Sequence, residues 1–260
     1  MTTPRSTDAP TIHPLRQLVR YALARLAASL AIRALFRVRV EGRDRLPAGA
    51  AVICFNHQSW VDPFVLMATL PWRPRLYFFG PKEADMSVGT RNRVMKWTGT
   101  AVPFRPEKRD LKGPTRRVGA ILDAGGVLAI AGEGRIHAGE GELLALNDGA
   151  AFFALRSGVP MVPVAINGTS WLTFGRQMRV RIGAPLAVSG RPTREAVDDL
   201  TRRTWTALHD LVGGYPDPDP PPIGSFWFRL TEAFNEWEEG ARPGDPPADD
   251  RPAADGPTRR

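Results

Sequence analysis

From about residue 38 to residue 214 the chain alternates short, continuous apolar runs with stretches of helical periodicity, and few folds accommodate that order. The apolar runs are Ala51–Phe55, Leu76–Phe79, Ala101–Phe104, Val127–Ala131, Met161–Ile166 and Met178–Ile182. Successive side chains of a strand point to opposite faces, so a strand apolar at every position is buried on both. Helical periodicity near 63–70, 91–97, 113–124 and 149–157, and again at 193–212, supplies the cover. The expected fold class is therefore α/β: a mixed sheet with helices on both faces.

The flanks extend this unit. Residues 1–13 are polar and contain proline, and read as a disordered N-terminus. From Pro14 to about Phe36, Leu15, Leu18, Val19, Ala22, Leu23, Leu26, Leu30, Ala34 and Leu35 recur at three- and four-residue steps, interrupted by Arg16, Arg20, Arg25, Arg33 and Arg37. The pattern predicts a basic amphipathic helix over 14–37. It lies either in a membrane interface or on its own domain with arginine stems snorkelling to water. After residue 214, Pro216, Pro218, Pro220, Pro221 and Pro222 form a stiff break. A helical stripe follows, Ile223, Phe226, Trp227, Leu230, Phe234 and Trp237, completing a segment over 215–240. Glu232, Glu236, Glu238 and Glu239 on its other faces would be repelled by anionic lipid, so this helix is expected to dock on the main domain. Residues 241–260 read as a disordered tail.

A formal charge of +8, carried mostly by arginine, suits an anionic partner. Nucleic acid is set aside, because no binding module is recognisable and no basic segment is interleaved with aromatic residues. An acidic membrane surface or a phosphorylated substrate remains. No run reaches the roughly 18–20 apolar residues of a spanning helix, and the first dozen residues lack the form of a signal peptide. The lone Cys54, inside an apolar run, reads as a core side chain in a reduced compartment rather than a nucleophile. Together these predict a cytoplasmic protein, peripheral on the inner face of the cell membrane.

Only four histidines are present. His13 falls in the polar start, His209 late in a helix, and His137 in a glycine-rich loop. His57 stands just past the Ala51–Phe55 run, where α/β proteins place functional groups. Asp62 follows five residues later, immediately before Pro63 and an apolar helix. An imidazole ordinarily titrates at about pH 6.5, and a carboxylate beside Nδ1–H would leave Nε2 free to take a proton from a substrate hydroxyl. The alternative is that Asp62 only caps its helix. A zinc site would want more His, Cys or carboxylate ligands. The G-x-S-x-G, P-loop and G-x-G-x-x-G signatures are absent. With no serine or cysteine nucleophile indicated, the histidine would act on an incoming hydroxyl. Two basic loops follow other strands: Gly99 to Arg105, and Gly132-Glu133-Gly134-Arg135, each with the planar cation and glycines suited to phosphate.

These blocks, in this order, resemble the glycerolipid acyltransferases typified by bacterial 1-acylglycerol-3-phosphate acyltransferases, over roughly residues 38–190. Asn56-His57-Gln58-Ser59-Trp60-Val61-Asp62-Pro63 is similar to the first block, N-H-x-x-x-x-D. Gly99 and Arg105 match the ends of the second, with Val102 and Pro103 in its Phe and aliphatic slots. Glu133-Gly134 match the core of the third, usually F-P-E-G-T-R-S, where Gly132 replaces the proline, Arg135 takes the Thr slot and His137 the Ser slot. Val162-Pro163-Val164 match the fourth. The resemblance implies direct transfer from acyl-CoA or acyl-carrier protein to a lysophospholipid acceptor, with no further cofactor and no metal. It implies His57 and Asp62 as the catalytic pair, and Arg105, Glu133, Gly134 and Arg135 as binding residues for the acceptor.

Overall fold

The computed structural model describes residues 14–81, 90–104, 112–137, 139–216 and 219–235. In chain order the elements are α1 (Pro14–Leu35), β1 (Arg37–Glu41), a 3₁₀ turn (Arg43–Arg45), β2 (Ala51–Phe55), α2 (Asp62–Thr69), β3 (Leu76–Pro81) and α3 (Thr90–Thr98). Then come β4 (Ala101–Phe104), α4 (Lys112–Asp123), β5 (Val127–Ala131), α5 (Gly149–Ser157), β6 (Met161–Asn167), β7 (Gln177–Ile182), α6 (Arg194–Val212) and α7 (Phe226–Asn235). The sheet has seven strands in the order β1-β7-β6-β2-β5-β3-β4. Strands β6, β2, β5, β3 and β4 are parallel. β7 runs antiparallel to β6, and β1 lies parallel to β7, so the sheet is mixed, as the sequence predicts.

Central strand β2 shows what its continuous apolar run means. Ala51, Ile53 and Phe55 enter one core, with Tyr21 and Ile32 of α1 and Val65 and Leu66 of α2. Val52 and Cys54 enter the other, with Val118 of α4, Ala154 of α5 and Leu200 of α6. The strand is buried at all five positions. Burial on both faces removes alternation, which is why the run is legible as a strand and why the fold has three layers.

Strand β1 was not expected. Its residues Arg37-Val38-Arg39-Val40-Glu41 alternate exposed or part-exposed charges with half-buried valines at the sheet edge, and the first arginine continues the spacing of the helix before it. The helix nevertheless ends at Leu35, and the Arg37 N–H already donates to Arg176 O at 2.8 Å.

Helix α1 also departs from a simple division into basic and apolar faces. Arg25 is 1% exposed. It donates to the carbonyl of Leu70, to that of Pro71 at 2.8 Å, and to Tyr21 Oη at 3.2 Å, with its guanidinium 4.6 Å from the Trp72 ring centroid. A cation is thereby placed on the C-terminal carbonyls of α2, where the helix dipole favours it. The outer side of α1 carries exposed Leu15, Leu18, Leu23, Leu26 and Leu30.

Candidate active site

The loops that follow β2, β5 and β6 meet at the carboxyl ends of three adjacent parallel strands. This is where the chain order switches direction across the sheet, and where α/β folds form crevices. The loop after β2 is tied to β6 by Asn56, whose Oδ1 accepts from Ile166 N–H at 2.7 Å and whose Nδ2 donates to Ile166 O at 2.8 Å. The chain then turns sharply enough for Asp62, the first residue of α2, to reach back beneath it.

Asp62 is fully buried. Its Oδ2 accepts from the backbone N–H of Gln58 at 2.8 Å and of Ser59 at 2.9 Å, and lies 2.9 Å from His57 Nδ1. Its Oδ1 accepts from the Thr169 hydroxyl at 2.6 Å. A carboxylate oxygen already facing two N–H donors is an acceptor, so the proton belongs on His57 Nδ1. The opposite edge of the imidazole is left for Nε2 as an acceptor. The ring is set edge-on between Phe55 and Trp60, at centroid distances of 5.8 and 5.5 Å. Asp62 thus orients the imidazole as well as opening a helix.

Glu133, after β5, meets the same histidine from below. Its Oε2 accepts from His57 N–H at 2.7 Å and its Oε1 from Leu144 N–H at 2.9 Å. His137 Nε2 stands 2.7 Å from Oε1, an ion pair when the ring is protonated. The His137 N–H donates to His57 O at 3.1 Å. Burial alone would push the His137 imidazole down; the Glu133 carboxylate, with Glu142 and Glu140 nearby, reverses this and holds it above the ordinary range.

The altered third block has a local reason. Gly132 N–H donates to Phe55 O at 2.8 Å, a bond proline cannot make, and a Cβ at this position would come within 2.7 Å of Cys54 Sγ. Gly134 adopts φ 71°, in the left-handed region that favours glycine, and a Cβ there would overlap the Asn147 amide.

His57, Trp60 and Gly134 line a cavity of about 720 Å³ whose remaining wall is mostly apolar, including Phe79, Phe104, Phe152 and Phe153. The structure therefore brings His57, Asp62, Glu133 and Gly134 together. Arg135 follows on the exposed side of the loop. Arg105 lies outside the described residues, as do His13 and Trp237.

Reading the sequence missed Thr169 and its supports. Glu140 accepts from Gly168 N–H at 2.6 Å, from Ser170 N–H at 3.0 Å and from the Ser170 hydroxyl at 2.6 Å, fixing the segment that carries Thr169. Burial pushes the Glu140 carboxyl up, and those three donors oppose it. The position of Thr169 just past the strand beside β2 was the available signal; Glu140 offered none.

Comparison with known proteins now bears on this geometry. A family model described as Acyltransferase matches residues 37–167, half of the chain, from β1 through the loops that carry His57, Asp62 and Glu133 to the end of β6. The chain belongs to the acyltransferase family. Among relatives, it is 26% identical over 158 residues to a chloroplastic 1-acyl-sn-glycerol-3-phosphate acyltransferase, LPAT1, of Arabidopsis thaliana. It is 25% identical over 156 residues to the chloroplastic 1-acyl-sn-glycerol-3-phosphate acyltransferase BAT2 of Brassica napus. The matches cover 60% and 59% of this chain but only 43% and 44% of those proteins, so this acyltransferase-family chain spans less than half the length of the curated relatives it matches. In fold it is similar to the 1-acyl-sn-glycerophosphate acyltransferase PlsC of Thermotoga maritima. The TM-score is 0.59 at 20% identity, covering 79% of this chain and 86% of that one.

Proposed function

We propose that the chain transfers an acyl group from a thioester donor, acyl-CoA or acyl-carrier protein, to the hydroxyl of a lysophospholipid. The acceptor favoured is 1-acylglycerol-3-phosphate, giving phosphatidic acid. The observation that carries this reading is His57: its Nδ1 side is tied to a buried carboxylate while the ring lines an apolar cavity of acyl-chain character. The names of the two plant relatives support the choice of acceptor.

In the proposed reaction His57 Nε2 takes the proton of the acceptor hydroxyl as its oxygen attacks the thioester carbonyl. The C–S bond breaks as the C–O bond of the new ester is completed. The imidazolium, stabilised by Asp62, returns its proton to the departing thiolate. No cofactor or metal takes part. Glu133 holds the His57 backbone in place, and Gly134 lets the loop pass close to the cavity. Arg135 and Arg105 are proposed to hold the acceptor phosphate through their planar donor forks.

In this reading the chain sits peripherally on the cytoplasmic face of an anionic membrane, the source of the acceptor; the outer leucines of α1 support the membrane contact. Among the described residues no helix is long and apolar enough to cross a membrane.

The test is product analysis by mass after incubating purified protein with acyl-CoA or acyl-carrier protein and a panel of lysolipids. His57→Ala should lose about 10²–10⁴ in rate while remaining folded. A folded variant as fast as wild type would remove the reading. Preference for a lysolipid lacking the phosphate would leave acyl transfer standing and replace the acceptor.

A further inference from the structure

Two separate stretches of chain grip Asp62. The turn after β2 supplies Gln58 N–H, Ser59 N–H and His57 to Oδ2, and the segment after β6 supplies Thr169 to Oδ1. One side chain joins the two stretches from outside. Asn235, at the end of α7, accepts the Ser59 hydroxyl on Oδ1 at 2.6 Å and donates from Nδ2 to Ser170 O at 3.2 Å. It is 2% exposed and lies far beyond the residues matched by the family model.

We propose that Asn235 is a positioning residue for the transfer reaction, clamping together the two segments that hold Asp62 and so keeping His57 aimed at the acceptor hydroxyl. The inference rests on the acyl-transfer reading and adds to it a helix outside the matched residues. A primary amide carries a donor and an acceptor at one terminus, so it can bridge a hydroxyl and a carbonyl without bringing a second charge near a buried carboxylate. The rest of α7 is seated to hold that amide still. Thr231 Oγ1 accepts from Leu172 N–H at 3.0 Å. Phe228 stacks on Trp171 at 5.5 Å, and Trp227 meets Phe36 of α1 edge-on at 6.1 Å. Thr231 provides the internal comparison: it also pins α7 to the segment after β6, at Leu172, three residues past Thr169, but its bonds do not reach the turn after β2 and so do not join the two stretches.

The experiment is steady-state kinetics on the full chain with acyl-CoA and 1-acylglycerol-3-phosphate, comparing Asn235→Ala, Ser59→Ala, their double variant, Thr231→Val and His57→Ala. Asn235→Ala is expected to lower kcat about tenfold with both KM values within about twofold, because a displaced base costs the chemical step rather than binding. Ser59→Ala, which removes the same bond from the other side together with the 3.2 Å bond from Val61 N–H to Ser59 Oγ, should also lower kcat. The double variant should lose clearly less than the product of the two single losses, the signature of a shared contact. Thr231→Val should lose Tm and keep kcat.

Wild-type kcat in Asn235→Ala or Ser59→Ala, multiplying losses in the double variant, or a matching kcat loss in Thr231→Val would each overturn the clamp. If Asn235→Ala does not fold, the Ser59→Ala result decides alone. Retained activity in His57→Ala would remove the acyl-transfer reading itself, whereas an inactive His57→Ala beside a fully active Asn235→Ala removes only the clamp.

Discussion

One carboxylate does two jobs here, and its four donors show how. Asp62 Oδ2 collects His57 and two backbone N–H groups, while among the described residues Oδ1 takes the Thr169 hydroxyl. Thr169→Val keeps the shape and deletes that bond. A hydrogen bond to a charged group contributes about 1.5–3 kcal/mol. Loss of part of that orientation should lower kcat about tenfold, with the acceptor KM nearly unchanged. Equal kcat in the variant would show the Oδ1 contact to be idle. His137 gives a second residue-scale expectation. Its folded pKa is raised, so its contribution to stability is complete below about pH 6.5, the unfolded value, and is lost as pH rises through the folded value. Thermal melts across pH 5.5–8.5 (about the window in which a raised imidazole titrates) should show His137→Gln losing the fall in Tm on the alkaline side that wild type displays. Parallel curves would refute this. His57 and Asp62 were legible because both lie beside a readable strand end. Thr169 contributes only a hydroxyl from a third loop, and its role exists only once β6 lies against β2.

At the scale of elements, legibility follows burial. The six strands read from continuous apolar runs all appear, within two residues at each end, since each is covered on one or both faces by helices. The edge strand β1 is only partly covered, its Val38 and Val40 half-buried against one core, and it was hidden by its arginines. Helix α1 was found, but the meaning of its arginines was not: Arg25 points inward to carbonyls that only the folded α2 presents. Arg25→Leu would leave the Leu70 and Pro71 carbonyls without that donor and is expected to cost about 3 kcal/mol, several degrees in Tm. Replacing Leu23, Leu26 and Leu30 together by serine should do the reverse. Their side chains are half exposed or more, so Tm should barely move, while co-sedimentation with anionic vesicles should fall severalfold. Unchanged sedimentation would remove the proposed membrane seat from α1. Asn235 belongs to this scale too. The apolar stripe of α7 predicted a helix docked on the main domain; Trp227 lies against Phe36 and Thr231 bonds Leu172, but nothing in a stripe indicates that a polar residue at its end meets the turn that carries His57.

For the molecule as a whole, Cys54 is a built-in reporter. It lies in the central strand, 1% exposed, with β5 on one side and β6 on the other. Burial, reinforced by the nearby Glu133 carboxylate, pushes its thiol up to about 12. The thiolate is the reactive form, so a thiol reagent needs both access and a lower pKa, and only separation of the two cores provides them. Labelling in the native state should therefore require global rather than local opening. Measured in the regime where reclosing outpaces reaction, the opening free energy should fall with denaturant at the slope of equilibrium unfolding. A much shallower slope would show that β2 is reached by a local fluctuation, contradicting its place at the centre of both cores. Gly132→Ala sharpens the test. Its new Cβ would approach Cys54 Sγ to 2.7 Å and Leu146 Cδ2 to 2.8 Å, in a loop that also carries Glu133. Overpacking of this kind costs about 1–3 kcal/mol, so labelling should accelerate by about 5- to 150-fold. Because the same loop holds the His57 backbone through Glu133, kcat should fall in the same variant. Faster labelling with undiminished kcat would mean that the core and His57 are supported separately. Their joint loss is what one sheet, feeding three loops into one site, requires.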